Sequence, residues 1–221
     1  MASGSAPPQP PPGNLRSFIV GCRRHFAVVT NRADEAAEWV AAVRHLPLVK
    51  VRLVGLSFMW GKHSQSGGSG VLWRVESIHF SFLARVLVYF LGQEPFSPAV
   101  MEFLRDPENL FVGGGLVAAF DELGVGRRRE AAPPRVDLLD VGRICGVASM
   151  AATAYGMGHL YPALAEAILR DVDLGLLRSP ELGRQPWQWP LSDTQIELAV
   201  QTAVISQSLS HRAFGRLKIL L

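Results

Sequence analysis

Apolar and polar positions along the chain change period several times, and each change marks an element. His25 to Thr30 alternates into a short apolar run and predicts a strand. From Arg32 to Leu46, apolar Ala36, Ala37, Trp39, Val40 and Val43 recur at helical spacing, with Asn31 available as N-cap. Val49 to Met59 is a strongly apolar strand, followed by a loop at Ser64 to Gly70. Val75 to Phe82 and Arg85 to Phe90 read as a hairpin. Ser97 to Leu104 opens with Ser-Pro, Ser97 as N-cap and Pro98 at the first helical position. Asn109 to Val112 is a short strand and Gly115 to Leu123 a short helix. A charged loop, Arg127 to Pro134, leads to an extended piece at Val136 to Leu139. Cys145 to Tyr155 and Tyr161 to Leu169 have helical patterns, and Ser192 to Phe214 predicts a long helix with Asp193 in its acidic first turn. Strands alternating with helices in this order predict a three-layer α/β fold.

Composition narrows the class. The chain has 221 residues, 48% hydrophobic and 19% charged, enough for one domain with a real core. Residues 1–14 are a Pro-rich tail that cannot form a core and is expected to be disordered. The domain is expected over residues 15–214, with a short tail at 215–221. Cys22 and Cys145 make neither a disulfide scaffold nor a metal-ligand pattern. No apolar run is long enough to span a bilayer, and the N-terminus has no hydrophobic signal core. The expectation is an intracellular protein, nuclear or cytoplasmic, without a membrane partner.

The charge is mildly basic, +3. Nineteen Arg stand against three Lys, Lys50, Lys62 and Lys218. Guanidinium suits phosphate recognition, although a G+C-rich coding bias gives the same ratio. The densest basic run is Arg127-Arg128-Arg129, a candidate phosphate contact. Trp60, Trp73, Trp187 and Trp189 are candidates for stacking bases or for packing in the core. The six histidines show no metal-ligand spacing, and His79, alternating with apolar residues on a strand, reads as structural.

Three segments, taken in order, resemble the motifs of the DEDD superfamily of 3′–5′ exonucleases. The most similar subgroup is the Werner-syndrome-like (RNase D-like) domain common in plants. Val51 to Trp60, VRLVGLSFMW, stands where that family has an apolar strand ending Gly-Leu-Asp-x-Glu-Trp. Phe111 to Leu123, FVGGGLVAAFDEL, stands for its Phe-Val-Gly-x-Gly turn and Asp-bearing helix. Leu191 to Ser206, LSDTQIELAVQTAVIS, stands for Leu-x-x-x-Gln-Ile-x-Tyr-Ala-x-x-Asp-Ala-x-x-Ser. The resemblance runs from about residue 25 to 213. It implies an RNase H-like (DnaQ-like) fold with a five-stranded mixed sheet.

In this family four carboxylates and a tyrosine hold two Mg²⁺ or Mn²⁺ ions that activate water and stabilise the leaving oxygen. Here the corresponding positions are Ser57, Met59, Ala119, Leu198 and Thr202, and none is a carboxylate or tyrosine. Strand periodicity puts Ser57 and Met59 on one face, and helix periodicity does the same for Leu198 and Thr202. Ala119 is expected to face the same cleft. Mg²⁺ requires several oxygen ligands, usually including charged ones, and Met is a soft one. No metal cofactor is therefore expected, and hydrolysis is expected to be lost.

The leading expectation is a non-catalytic nucleic-acid-binding or regulatory protein that takes single strands or 3′ ends. An alternative is a protein-interaction scaffold on the same fold. A further alternative is a residual exonuclease that uses the displaced carboxylates Asp121, Glu122 and Glu197.

Overall fold

A computed structural model describes residues 14–46, 51–64, 71–92, 96–125, 135–137, 166, 175–177, 179 and 185–217. The predicted N-terminal tail (except Asn14), the Arg127–Arg129 loop, and the helices at Cys145 to Tyr155 and Tyr161 to Leu169 (except the helical Glu166) lie outside the described residues.

The strands are β1 (Leu15–Val20), β2 (Arg23–Thr30), β3 (Arg52–Ser64), β4 (Val71–Phe82), β5 (Arg85–Phe90), β6 (Asn109–Gly113) and β7 (Arg135–Asp137). The helices whose full span lies among the described residues are α1 (Ala33–Arg44), α2 (Pro98–Arg105), α3 (Leu116–Leu123) and α4 (Asp193–Leu217). Among the described residues these strands form one seven-stranded sheet in the order β1-β2-β5-β4-β3-β6-β7. The five-strand expectation is corrected by two. The run β5-β4-β3-β6-β7 is continuous, and β2 extends it parallel to β5, with β1 antiparallel on β2. β1 lacks a continuous apolar face, because Leu15, Arg16, Ser17 and Ile19 are all exposed, so periodicity did not reveal it.

The sheet separates two cores, as strand alternation requires. Val28, Val54, Leu56, Phe58, Phe80, Leu87 and Phe111 face α1, α2 and α3. Trp39, Phe80, Phe103 and Phe111 pack there with edge and tilted ring contacts at 5.7–6.0 Å. Ala27, Val29, Val86, Val88 and Val112 face the other way, onto Ile196, Ala199, Val200, Val204 and Ile205 of α4. Burying each large side chain contributes about 1.5–3 kcal/mol.

Helix starts follow local chemistry. The N-cap of α1 is Arg32, not Asn31, and it makes no side-chain capping bond. Its guanidinium instead pairs with Asp34. α2 starts as expected, with Ser97 as N-cap and Pro98 in the first turn, but Ser97 Oγ donates to Ala33 O rather than to its own helix. At α4, Ser192 N–H donates to Gln195 Oε1 at 2.9 Å and Gln195 N–H to Ser192 Oγ at 3.2 Å, a reciprocal capping box. The Gln of the third motif therefore fixes where α4 begins. α4 then lies directly on β3. A Cβ added at Gly55 would sit 2.2 Å from Ala203 O and 2.7 Å from Gln207 N, so only glycine permits this approach.

Candidate functional site

Ser57 and His79 are direct partners in the β3–β4 register. Ser57 Oγ lies 3.0 Å from His79 Nδ1 and 2.9 Å from Thr202 Oγ1 on α4. Ser77 Oγ lies 2.8 Å from His79 Nε2. Thr202 Oγ1 donates to Ala199 O at 3.0 Å, and Ser206 Oγ to Thr202 O at 2.8 Å. Farther along the seam, Ser81 Oγ donates to Gln207 Oε1 at 2.9 Å, and Gln207 Nε2 to Leu53 O at 3.1 Å. All these side chains are buried.

The proton inventory orients this chain. Each hydroxyl has one proton, and a neutral imidazole has one N–H. Thr202 gives its proton to Ala199 O, so Ser57 must donate to Thr202. His79 Nδ1–H must then donate to Ser57, and Ser77 must donate to Nε2. Every donor is satisfied in that arrangement, and it requires a neutral His79. Burial pushes the His79 pKa from 6.5 down to about 3, which agrees. Trp187 lies against the ring at a centroid distance of 5.9 Å.

The structure thus joins two of the five family-matched positions, Ser57 and Thr202, by a hydrogen bond. Leu198 is buried in the α4-side core and Met59 packs against it. Ala119 departs from expectation. It lies fully buried in the opposite core, on the α3 stripe of Leu116, Ala119 and Phe120, below the sheet face that carries Phe58. Gly115, in the left-handed region at φ 68°, turns the chain so that this apolar stripe faces the sheet. Asp121, Glu122 and Glu197 are exposed.

A two-metal centre does not fit these residues. Ser57 and Thr202 spend their hydroxyls on each other, on His79 and on backbone. Both ring nitrogens of His79 are engaged. Among the described residues no group of three or more His, Cys, Asp or Glu could hold a metal ion.

The other candidates disperse. Trp60 is half-buried against the α1–α3 core. Lys62 Nζ lies 5.0 Å above the Trp73 ring. Trp187 is buried, and Trp189 is partly exposed beside Phe90. Arg127, Arg128 and Arg129 lie outside the described residues. Sequence reasoning missed the partnership of His79 with Ser57 and Ser77. The signal was present as Ser77, His79 and Ser81, alternating with Ile78, Phe80 and Phe82.

No helix among the described residues is long and apolar enough to cross a membrane. No protein-family model and no curated protein matches the sequence. Solved structures do. Escherichia coli RNase D, an exoribonuclease involved in structured RNA processing, superposes with a TM-score of 0.56 at 15% identity, over 86% of this chain and 44% of that one. Trypanosoma brucei RNase D in complex with GMP gives 0.61 at 17%, over 86% and 57%. The same enzyme in complex with RNA U12 gives 0.56 at 16%, over 86% and 62%. The Aedes aegypti Nibbler EXO domain gives 0.55 at 12%, over 86% and 88%. This chain therefore spans about half the length of the RNase D proteins it matches. These neighbours are DEDD 3′–5′ exonuclease domains, and the likeness establishes the RNase H-like exonuclease fold here.

Proposed function

We propose that this chain is a 3′–5′ exonuclease-like domain, of the Werner-like kind, that no longer cleaves and acts as a non-catalytic nucleic-acid-binding or regulatory protein. One observation carries the reading. The positions matched to the family's first and last acidic ligands are Ser57 and Thr202, and they are buried and hydrogen-bonded to each other, with Ser57 also bonded to a neutral histidine. Such a site has no charge to hold a divalent cation and no base to take a proton from water. Met59, Ala119 and Leu198 add only apolar surface. The basic charge and the RNA bound by a structural neighbour support a nucleic-acid ligand.

The test is incubation with a 5′-labelled single-stranded RNA or DNA in Mg²⁺ or Mn²⁺. The expected result is an intact oligonucleotide. Stepwise shortening from the 3′ end that disappears in Glu122→Ala would establish the residual exonuclease instead.

A further inference from the structure

The covering helices leave one corner of the sheet open. On the α1 side, the row through Leu15, Val28 and Leu87 is closed over Val28 and Leu87, which are buried. The next rows are Ser17–Phe26–Arg85 and Ile19–Arg24. There Phe26 is 43% exposed and Ile19 68%. Leu83, in the β4–β5 turn, is 59% exposed and has a positive φ of 55°. That conformation is uncommon for a bulky side chain. The residue that follows Leu83 in the turn, Ala84, accepts a backbone hydrogen bond from Phe26 N–H at 2.8 Å. Strand alternation puts Ile19, Arg24, Phe26 and Arg85 on this same face.

Among the described residues of these rows the charged side chains are Arg24 and Arg85, of one sign. Among the described residues neither Arg24 nor Arg85 forms an ion pair with a carboxylate. Arg23 alternates onto the other face, toward His25 and His211 of α4, so the corner's cations are Arg24 and Arg85. A second copy of the chain docking by this corner would set arginines against arginines. A polyanion with flat apolar groups meets both features.

We infer that this corner is a binding site for single-stranded nucleic acid. Phe26 supplies a face on which a base stacks, Arg24 and Arg85 take the phosphates on either side of it, and Ile19 and Leu83 wall the base. The surface lies on the side of the sheet opposite α4, so it does not depend on the buried Ser57–Thr202 contact. The inference rests on the nucleic-acid reading above and names a site for it.

The test measures anisotropy of a labelled 12-mer oligouridylate and a 12-mer oligothymidylate against the full chain across a salt series. Wild type is expected to bind with a steep inverse salt dependence. Arg24→Glu/Arg85→Glu is expected to weaken binding more than tenfold and to reduce the log–log salt slope by about 1.4, at about 0.7 per single-strand phosphate contact. Phe26→Ala is expected to weaken it about fivefold or more, and Phe26→Trp to retain it. Arg127→Glu/Arg128→Glu serves as the rival location, and circular dichroism confirms folding of each variant. If wild type binds and the Arg24/Arg85 and Phe26 variants bind equally well, this site is wrong while the nucleic-acid reading stands. No binding of either oligomer at low salt overturns both. Salt-insensitive binding that Arg24→Glu/Arg85→Glu leaves intact also overturns the site.

Discussion

Removing single hydroxyls from the Ser57–His79–Thr202 chain gives the most informative perturbation. Ser57→Ala leaves His79 Nδ1–H without an acceptor at a fully buried position. An unsatisfied buried donor costs about 1–3 kcal/mol. Thr202→Val keeps the shape but strands the Ser57 O–H, at a similar cost of about 1–3 kcal/mol. For a domain of this size about 1 kcal/mol shifts Tm by about 2–4 °C, so a cost near 2 kcal/mol lowers it by about 4–8 °C. The double variant is the sharper case. Once Ser57 is alanine there is no hydroxyl for Thr202→Val to strand, so the double variant is expected to melt near Ser57→Ala alone. The resulting coupling is about 1–3 kcal/mol, the range seen for residues in one network. Thermal unfolding followed by circular dichroism at pH 7 measures all the variants. Singles that melt with wild type, or singles whose effects simply add in the double, would refute the hydrogen-bond chain.

The remaining predictions probe the surroundings of that chain. Gly55→Ala drives a methyl into the α4 backbone at Ala203 O and is expected to cost about 1–3 kcal/mol, read from urea unfolding; an unchanged midpoint would contradict the close approach. Ala119→Asp, which restores the residue type the family has there, buries a carboxylate among apolar side chains and is expected to destabilise by at least about 3 kcal/mol, with no rescue by Mn²⁺. His79 has a folded pKa of about 3, below its ordinary value of 6.5. As pH falls through 6.5 the unfolded chain takes up a proton that the folded one refuses. This contribution is flat above pH 6.5 and falls by about 1.4 kcal/mol per unit below it, toward pH 3. Between pH 7 and pH 4.5 it amounts to about 2–3 kcal/mol. Imidazole NMR of the folded protein checks it, and a His79 ring that titrates near 6.5 would sink the assignment.

Much of the architecture was legible because burial imposes period. β2, β3, β4, β5 and β6, together with α1–α3 and α4, coincide with apolar runs or stripes, since each packs a face against a core. β1 was hidden because an edge strand carrying Arg16, Ser17 and an exposed Ile19 buries too little to show a pattern. The N-cap of α1 falls one residue after Asn31, at Arg32, whose side chain pairs with Asp34 rather than capping the helix. At the site, spacing placed Ser57 with Met59 and Leu198 with Thr202, and the fold joined the Ser57 and Thr202 ends. Placing Ala119 with them failed, because the position within a first turn does not say which core that turn faces. His79 was read singly. Its partners lie two residues away on β4, across the sheet on β3, and through Ser57 on α4, and only the strand register brings them together.

Ser57 and Thr202, matched to the family's metal ligands, are closed off by each other and by a neutral imidazole on Ser57. Titration of the full chain with Mn²⁺, followed by electron paramagnetic resonance of the free ion, tests this closure most directly. No stoichiometric uptake is expected at millimolar Mn²⁺, with the free-ion signal equal to that of buffer. Uptake of one or two ions per chain, abolished by Glu122→Ala or Asp121→Asn, would contradict it.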